Sequence, residues 1–156
     1  FTGAGGPDRP TYGQSTNLVV IWPSGTPSAL QAHTPNSPGS PLLFGALDFL
    51  ATNSGKWILH SLTNTGVPGA NTPNGTWAVY ARFPSTRMTG CFPHGECYND
   101  PDVRFVNYFW DGRAVHYFPR LAYGFRQSTG CVELPLKAAQ RAYGMIHIGT
   151  PVMVMP

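Results

Sequence analysis

The stretch QSTGCVELP, residues 127–135, places one thiol, Cys131, directly after Gly130 and ahead of a short apolar run. A cysteine there has four chemical uses: core filler, half of a disulfide, metal ligand or nucleophile. Nucleophilic use needs three supports. A base has to take the proton, because a thiol with an ordinary pKa near ~8.5 is mostly protonated at neutral pH. Backbone N–H groups have to receive an oxyanion, and Gly130 leaves its own open to one. A positive field favours thiolate, and a helix expected a few residues later points the positive end of its dipole back along the chain. Among five histidines, His116 is the first choice of base. It ends an apolar hairpin arm, and only the loop YFPRLAYGFRQSTG separates it from Cys131. His60 near a strand end, His33 and His147 in connections, and His94 between two cysteines are weaker choices.

The other two cysteines bracket CFPHGEC. Three cysteines in an exported chain imply one pair and one free thiol. Pairing Cys91 with Cys97 closes a small ring and restrains its loop by roughly 2 kcal/mol on the chain-entropy argument. The competing reading is a metal site from Cys91, His94 and Cys97, which offers only three ligands at unusual spacing. If the local pair forms, Cys131 stays free.

The elements that must position these groups read as mostly β. Residues 1–16 (FTGAGGPDRPTYGQST) have the composition of an extended arm, with one domain following over 17–156. NLVVIW, 17–22, is a short β-branched strand. A turn-rich loop follows, with room for a short strand around Ala29–His33. Residues 40–62 admit two readings. One is a helix capped at Ser40; the other is a hairpin of LDFLA and KWILHSL turning at Asn53-Ser54-Gly55, which the β-branched and aromatic second arm favours. After the loop 63–75 comes the strand TWAVYARF, then the cysteine loop. RFVNYFW and RAVHYF flank Asp111-Gly112, a type I′ turn signal. PLKAAQRAY, 135–143, is the one expected helix, with Pro135 in its first turn and Gly144 at its end. IGTPVMVM is the last strand. Trp57, Trp77 and Trp110 fall on strands and are expected in the core.

Composition excludes several classes. At 156 residues, 42% hydrophobic and 11% charged, the chain suits one folded domain rather than a disordered polymer. No apolar run approaches ~18 residues, so no membrane-spanning helix is expected. The formal charge of +3 is spread thinly, with no basic run to mark a nucleic-acid footprint. A first residue of Phe1 rather than methionine raises the expectation of a processed or trimmed chain.

The stretch AVHYFPRLAYGFRQSTGCVELP resembles the signature of the L,D-transpeptidase catalytic domain, the YkuD-type family of bacterial cell-wall enzymes. That signature is a histidine, a connecting segment, then Ser/Thr-His-Gly-Cys and an apolar residue. SLTNTGVPGANTPNGTW is similar to the family's STG-x-PG-x-x-TPTG-x-F segment, and IGTPVMVMP to its usual ending. LDFLATNSGKWILHSL resembles the family's opening hairpin. The matches run in order from Asn17 to Met155.

The resemblance implies a β-sandwich-like domain with one helix after the nucleophile cysteine. It implies Cys131 as nucleophile, His116 as proton acceptor, the backbone carbonyl of Tyr117 as the group orienting the imidazole, and oxyanion N–H groups at Gly130 and Cys131. Ser128, Thr129, Arg126 and Tyr123 are the expected substrate-binding residues. The implied substrate is a peptidoglycan tetrapeptide stem. Its terminal D-residue leaves, a thioester forms, and a second stem's amine closes a 3-3 cross-link. Water in place of the amine makes an L,D-carboxypeptidase, and an inactive site leaves a wall-binding module. No cofactor or metal is implied. A carbapenem is an implied covalent ligand, and the implied location is secreted or cell-wall-associated in a bacterium. Three positions depart from the family's pattern: Tyr117 stands where glycine is common, Thr129 where histidine is common, and Glu133 where arginine is frequent.

Overall fold

The computed structural model describes residues 13–21, 46–51 and 56–156. Among them are eleven strands and one helix, so the mainly-β expectation holds. Five strands form one sheet in the order β3-β2-β1-β11-β5: β3 is Lys56–Leu62, β2 Ala46–Ala51, β1 Leu18–Ile21, β11 Pro151–Met155 and β5 Gly75–Ala78. A second sheet has the order β10-β8-β7-β6, with β10 at Val132–Leu134, β8 at Arg113–Tyr117, β7 at Cys97–Trp110 and β6 at Ala81–Cys91. A two-stranded ladder joins β4, Thr65–Gly66, to β9, Arg126–Ser128. The antiparallel β2/β3 pairing settles Ala46–Ala51 and Lys56–Leu62 as strands rather than a helix. The segment around Ala29–His33, the arm's first twelve residues and the turn at 53–55 lie outside the described residues.

The main core lies between the two larger sheets and the helix α1, Leu136–Met145. Val19 and Ile21 of β1, Val152 and Val154 of β11, Val115 of β8, Val132 and Leu134 of β10, and Ala138, Ala139 and Ala142 of α1 share one cluster. Period-2 alternation explains the choice of residues. In β11, Val152 and Val154 are buried in that cluster while Met153 and Met155 pack with Val20 on the other face.

Four details differ from the sequence reading. TWAVYARF is two strands, because the chain changes sheets at Val79 and Tyr80: β5 pairs with β11 and β6 with β7. The cysteine loop is the tip of a long β6/β7 hairpin, in which Cys91 faces Cys97 and the two form a disulfide. Both thiols are therefore consumed, which removes the metal reading at Cys91, His94 and Cys97. Gly144 lies inside the last turn of α1, and Pro135 stands at the N-cap, ahead of the first turn. At the other hairpin, Asp111 and Gly112 both take positive φ, 38° and 74°, as the I′ turn requires.

Candidate active site

Strand alternation separates two sets of side chains on the second sheet. Val115, Val132 and Leu134 point into the main core. On β8, Ala114 and His116 take the opposite face. The parallel β8/β10 register pairs Val132 with Val115 and Glu133 with His116. Cys131 lies two residues before Glu133, so alternation turns it to the same face. There Cys131 joins Ala114 and the β7 side chains Val103 and Val106 in a separate buried cluster.

Cys131, His116, Glu133, Ser128, Thr129 and Tyr98 all line one cavity of about 30 Å³, room for roughly two waters. Two wider cavities adjoin it. One of about 390 Å³ shares Cys131, Tyr98 and Thr129 and adds Arg87 and Arg113. The other, about 380 Å³, shares Asp100, Val103 and Phe118 and adds Asp102, Arg104 and Tyr117.

The thiol is free and buried. His116 is 3% exposed, and its Nδ1 lies 2.8 Å from the Tyr117 carbonyl oxygen. A carbonyl only accepts, so Nδ1 carries the proton and Nε2 is the remaining acceptor. Burial lowers the imidazole pKa from its ordinary value; Glu133 and the Tyr117 carbonyl pull it up, and Arg120 adds to the lowering. Burial also pushes the Cys131 thiol up to about 11, against the Ala114 backbone hydrogen bond; Glu133 adds to the rise and Arg113 offsets it. At rest the cavity thus holds a neutral thiol and a neutral imidazole in one lining. Such a pair makes its nucleophile by proton transfer during attack. The sequence argument from the helix dipole pointed instead to a standing thiolate. It fails because β10 separates Cys131 from Leu136, and a helix field falls off within its first turn.

Around the thiol, the backbone is tightly held. The Gly130 N–H donates to Ser128 Oγ at 3.1 Å, and that hydroxyl donates to the Cys131 carbonyl at 2.6 Å. An oxyanion would have to take the Gly130 N–H over from Ser128. Gly130 itself has φ +110°, and an added Cβ would sit 3.1 Å from Arg113 Nε and 3.4 Å from the Ala70 carbonyl oxygen. We expect Gly130→Ala to cost about 1–3 kcal/mol in a denaturant titration, the range for such backbone strain. Its thiol alkylation rate changes with it, because the strained peptide carries Cys131.

Thr129 Oγ1 is 2.8 Å from the Tyr98 hydroxyl, which brings the β6/β7 hairpin down onto the segment before the thiol. Arg126 and Tyr123 lie outside the lining of the thiol cavity. The Arg126 guanidinium donates to the Gly66 carbonyl and to Asn71 Oδ1, and the Tyr123 hydroxyl donates to the Phe118 carbonyl.

Sequence reasoning missed how Glu133 is held. Its carboxylate receives Arg120 Nε and Nη2, both at 2.8 Å, with side chains 1% and 5% exposed. Arg120 Nη2 also donates to the Gln127 carbonyl, and Asn64 Nδ2 reaches Glu133 Oε2 at 3.3 Å. The carboxylate that stands where arginine is frequent is therefore matched by an arginine from the 118–127 segment. Alternation from Cys131 was a signal for Glu133; nothing periodic marked Arg120. Ser15, near the end of the expected arm, is also fully buried, bonded through Oγ to Thr65 Oγ1 at 2.6 Å and through N to the Gly124 carbonyl.

Comparison with known proteins places this geometry. The family model for the L,D-transpeptidase catalytic domain, YkuD, matches residues 47–154. Among solved structures, an L,D-transpeptidase from Mycobacterium smegmatis is similar with a TM-score of 0.57 and 22% identity, over 88% of this chain and 57% of that one. An L,D-transpeptidase from Stackebrandtia nassauensis gives 0.53 and 18%, over 93% and 59%. The Enterococcus faecium L,D-transpeptidase catalytic domain, in a structure acylated by ertapenem, gives 0.56 and 27%, over 66% and 84%. This chain spans less than two thirds of the length of the first two. No curated protein sequence is matched.

Proposed function

The chain belongs to the L,D-transpeptidase catalytic domain family, and from that premise we propose that it is a cysteine acyltransferase acting on peptidoglycan tetrapeptide stems. The observation that carries the reading is the free, buried Cys131 in one cavity with His116, whose Nδ1 is anchored on the Tyr117 carbonyl at 2.8 Å.

In the proposed reaction the donor stem enters by the cavity that holds Arg87 and Arg113, whose guanidinium groups suit the terminal carboxylate of the leaving D-residue. His116 Nε2 takes the thiol proton as sulfur attacks the carbonyl carbon. The oxyanion collects backbone N–H groups at Gly130 and Cys131. The imidazolium returns the proton to the leaving amine, D-alanine departs, and a thioester remains on Cys131. The amine of a second stem then forms the 3-3 cross-link. Ser128 and Thr129 shape the wall beside the acyl group. The reading needs no metal or cofactor, and it places the domain where stems are, secreted or on the bacterial wall. No helix of the described residues is long and apolar enough to cross a membrane.

The test is incubation with a purified tetrapeptide stem, followed by mass spectrometry of the products. Dimer together with free D-alanine supports transpeptidation. Tripeptide and D-alanine without dimer mean hydrolysis, the carboxypeptidase outcome. Sedimentation with sacculi and no released D-alanine leaves a binding module and overturns the enzyme reading.

A further inference from the structure

We propose that Asp100 is the receptor for the acceptor's side-chain ammonium, seating a cation in the wall between the thiol cavity and the 380 Å³ cavity beside it. The inference rests on the acyltransferase reading above and assigns its second substrate a site.

Asp100 lies on β7 opposite Met88 and is 4% exposed. It lines both cavities, yet among the described residues no donor bonds to its carboxylate. A carboxylate withdrawn from water without a donor is costly to keep charged, so the site is set to gain from a cationic partner.

Among the described residues no surrounding charge supplies one in contact. Arg120 is near enough to act on Asp100 electrostatically, but its Nε and Nη2 are given to Glu133. In the wider cavity, Asp102 accepts the Ser85 hydroxyl and lies 3.7 Å from Arg104 Nε, both side chains being exposed. These pairs cancel, and Asp100 is left as the uncompensated charge of the two linings. Its pKa is raised, chiefly by burial, with Arg120 and the N-terminal ammonium opposing and Glu133 adding; that makes it a better proton acceptor than an exposed carboxylate.

The ligand class follows from size and position. The described residues hold no group of three or more His, Cys, Asp or Glu able to hold a metal ion. A single carboxylate opening on 380 Å³ fits an organic ammonium on a flexible side chain, the terminus of a diamino acid. From Asp100 that nitrogen faces the cavity that Cys131 also lines, and Arg87 and Arg113 line neither of the two cavities of Asp100. The ammonium gives one proton to the carboxylate, which passes it to solvent. Its lone pair attacks the thioester carbon, and the carbon–sulfur bond breaks. The second nitrogen proton passes through His116 to the departing sulfur, leaving an amide and the Cys131 thiol.

The test compares two probes by calorimetry at neutral pH: a stem tripeptide ending in lysine, and the same tripeptide with its side-chain amine acetylated. Neither carries a terminal D-residue, so neither reacts as donor. The free amine is expected to bind roughly tenfold or more tighter to the wild-type protein, the size of one charge-assisted contact. That preference disappears in Asp100→Asn and survives in Asp100→Glu. Equal affinities in the wild type, or a preference that persists in Asp100→Asn, overturn the proposal, and the wild-type comparison stands even if a variant fails to fold. Release of D-alanine from a tetrapeptide stem reads the acyltransferase assignment separately. Its absence alongside an intact amine preference sinks that assignment and leaves the cation site standing.

Discussion

The wild-type protein is expected to form a covalent adduct with a carbapenem and Cys131→Ala to form none, as read by intact-mass spectrometry. His116→Gln is expected to slow the same acylation by about 10²–10⁴ at neutral pH, the range for losing a general base. The second effect follows from the two perturbed groups. A thiol pushed up to about 11 holds almost no thiolate at neutral pH, so without a local acceptor the nucleophile is nearly absent. In His116→Gln the rate then climbs with hydroxide, about tenfold per pH unit until the thiol itself titrates.

The wild type is expected to behave differently, with the neutral imidazole as the working form. Burial lowers its pKa, so acylation stays flat through neutral pH and falls only on the acid side, below the ordinary histidine value of ~6.5. The stability effect has the same direction. Below ~6.5 the unfolded chain binds this proton before the folded one does, so the contribution of His116 is lost as pH falls from there toward the folded value. Stopped-flow acylation across pH with both proteins decides the matter. A His116→Gln protein that acylates at the wild-type rate would remove the imidazole from the mechanism.

The second large effect is on stability. Arg120→Met leaves the Glu133 carboxylate buried without its two 2.8 Å donors, and the expected loss is about 3–5 kcal/mol. Since a domain has only about 5–15 kcal/mol in total, this variant is marginal at physiological temperature. The double variant Arg120→Met, Glu133→Leu removes both charges and fills the space with apolar side chains, and it is expected to recover most of the loss. Urea midpoints for the wild type, Arg120→Met, Glu133→Leu and the double variant close the cycle. A single variant as stable as the wild type would show that water reaches the pair and that the 118–127 segment is not tied down by it. Arg120→Lys gives an intermediate result, because an ammonium cannot reproduce the guanidinium fork across both carboxylate oxygens.

Several parts of this site were legible from residue order alone, each through a local rule. Asp111-Gly112 announced its turn because only a few residue types tolerate positive φ at both positions. The spacing of Cys91 and Cys97 announced a ring because two cysteines so near in the chain readily close one. The motif around Cys131 and its histidine upstream carried the family. Other parts rested on contacts between distant segments. TWAVYARF has uniform strand composition, and nothing in it tells that residues 79 and 80 cross from one sheet to the other. Residues 84–103 look turn-rich and polar because β6 and much of β7 form a hairpin with exposed faces, so the apolar alternation that marks a strand is thin there.

By itself the sequence determined the identity of the chemical groups and their order: a thiol, an imidazole, a glycine between hydroxyl residues and the thiol, and two further cysteines close enough in the chain to pair. Those follow from residue type and near-neighbour spacing. Tertiary structure decided the electrostatic state of each group. It put Cys131, His116 and Glu133 on one face through a parallel register, supplied Arg120 to match Glu133, and gave Asp100 no donor among the described residues. Burial and the sign of neighbouring charge are properties of space rather than of order along the chain, and they set which proton moves, and where.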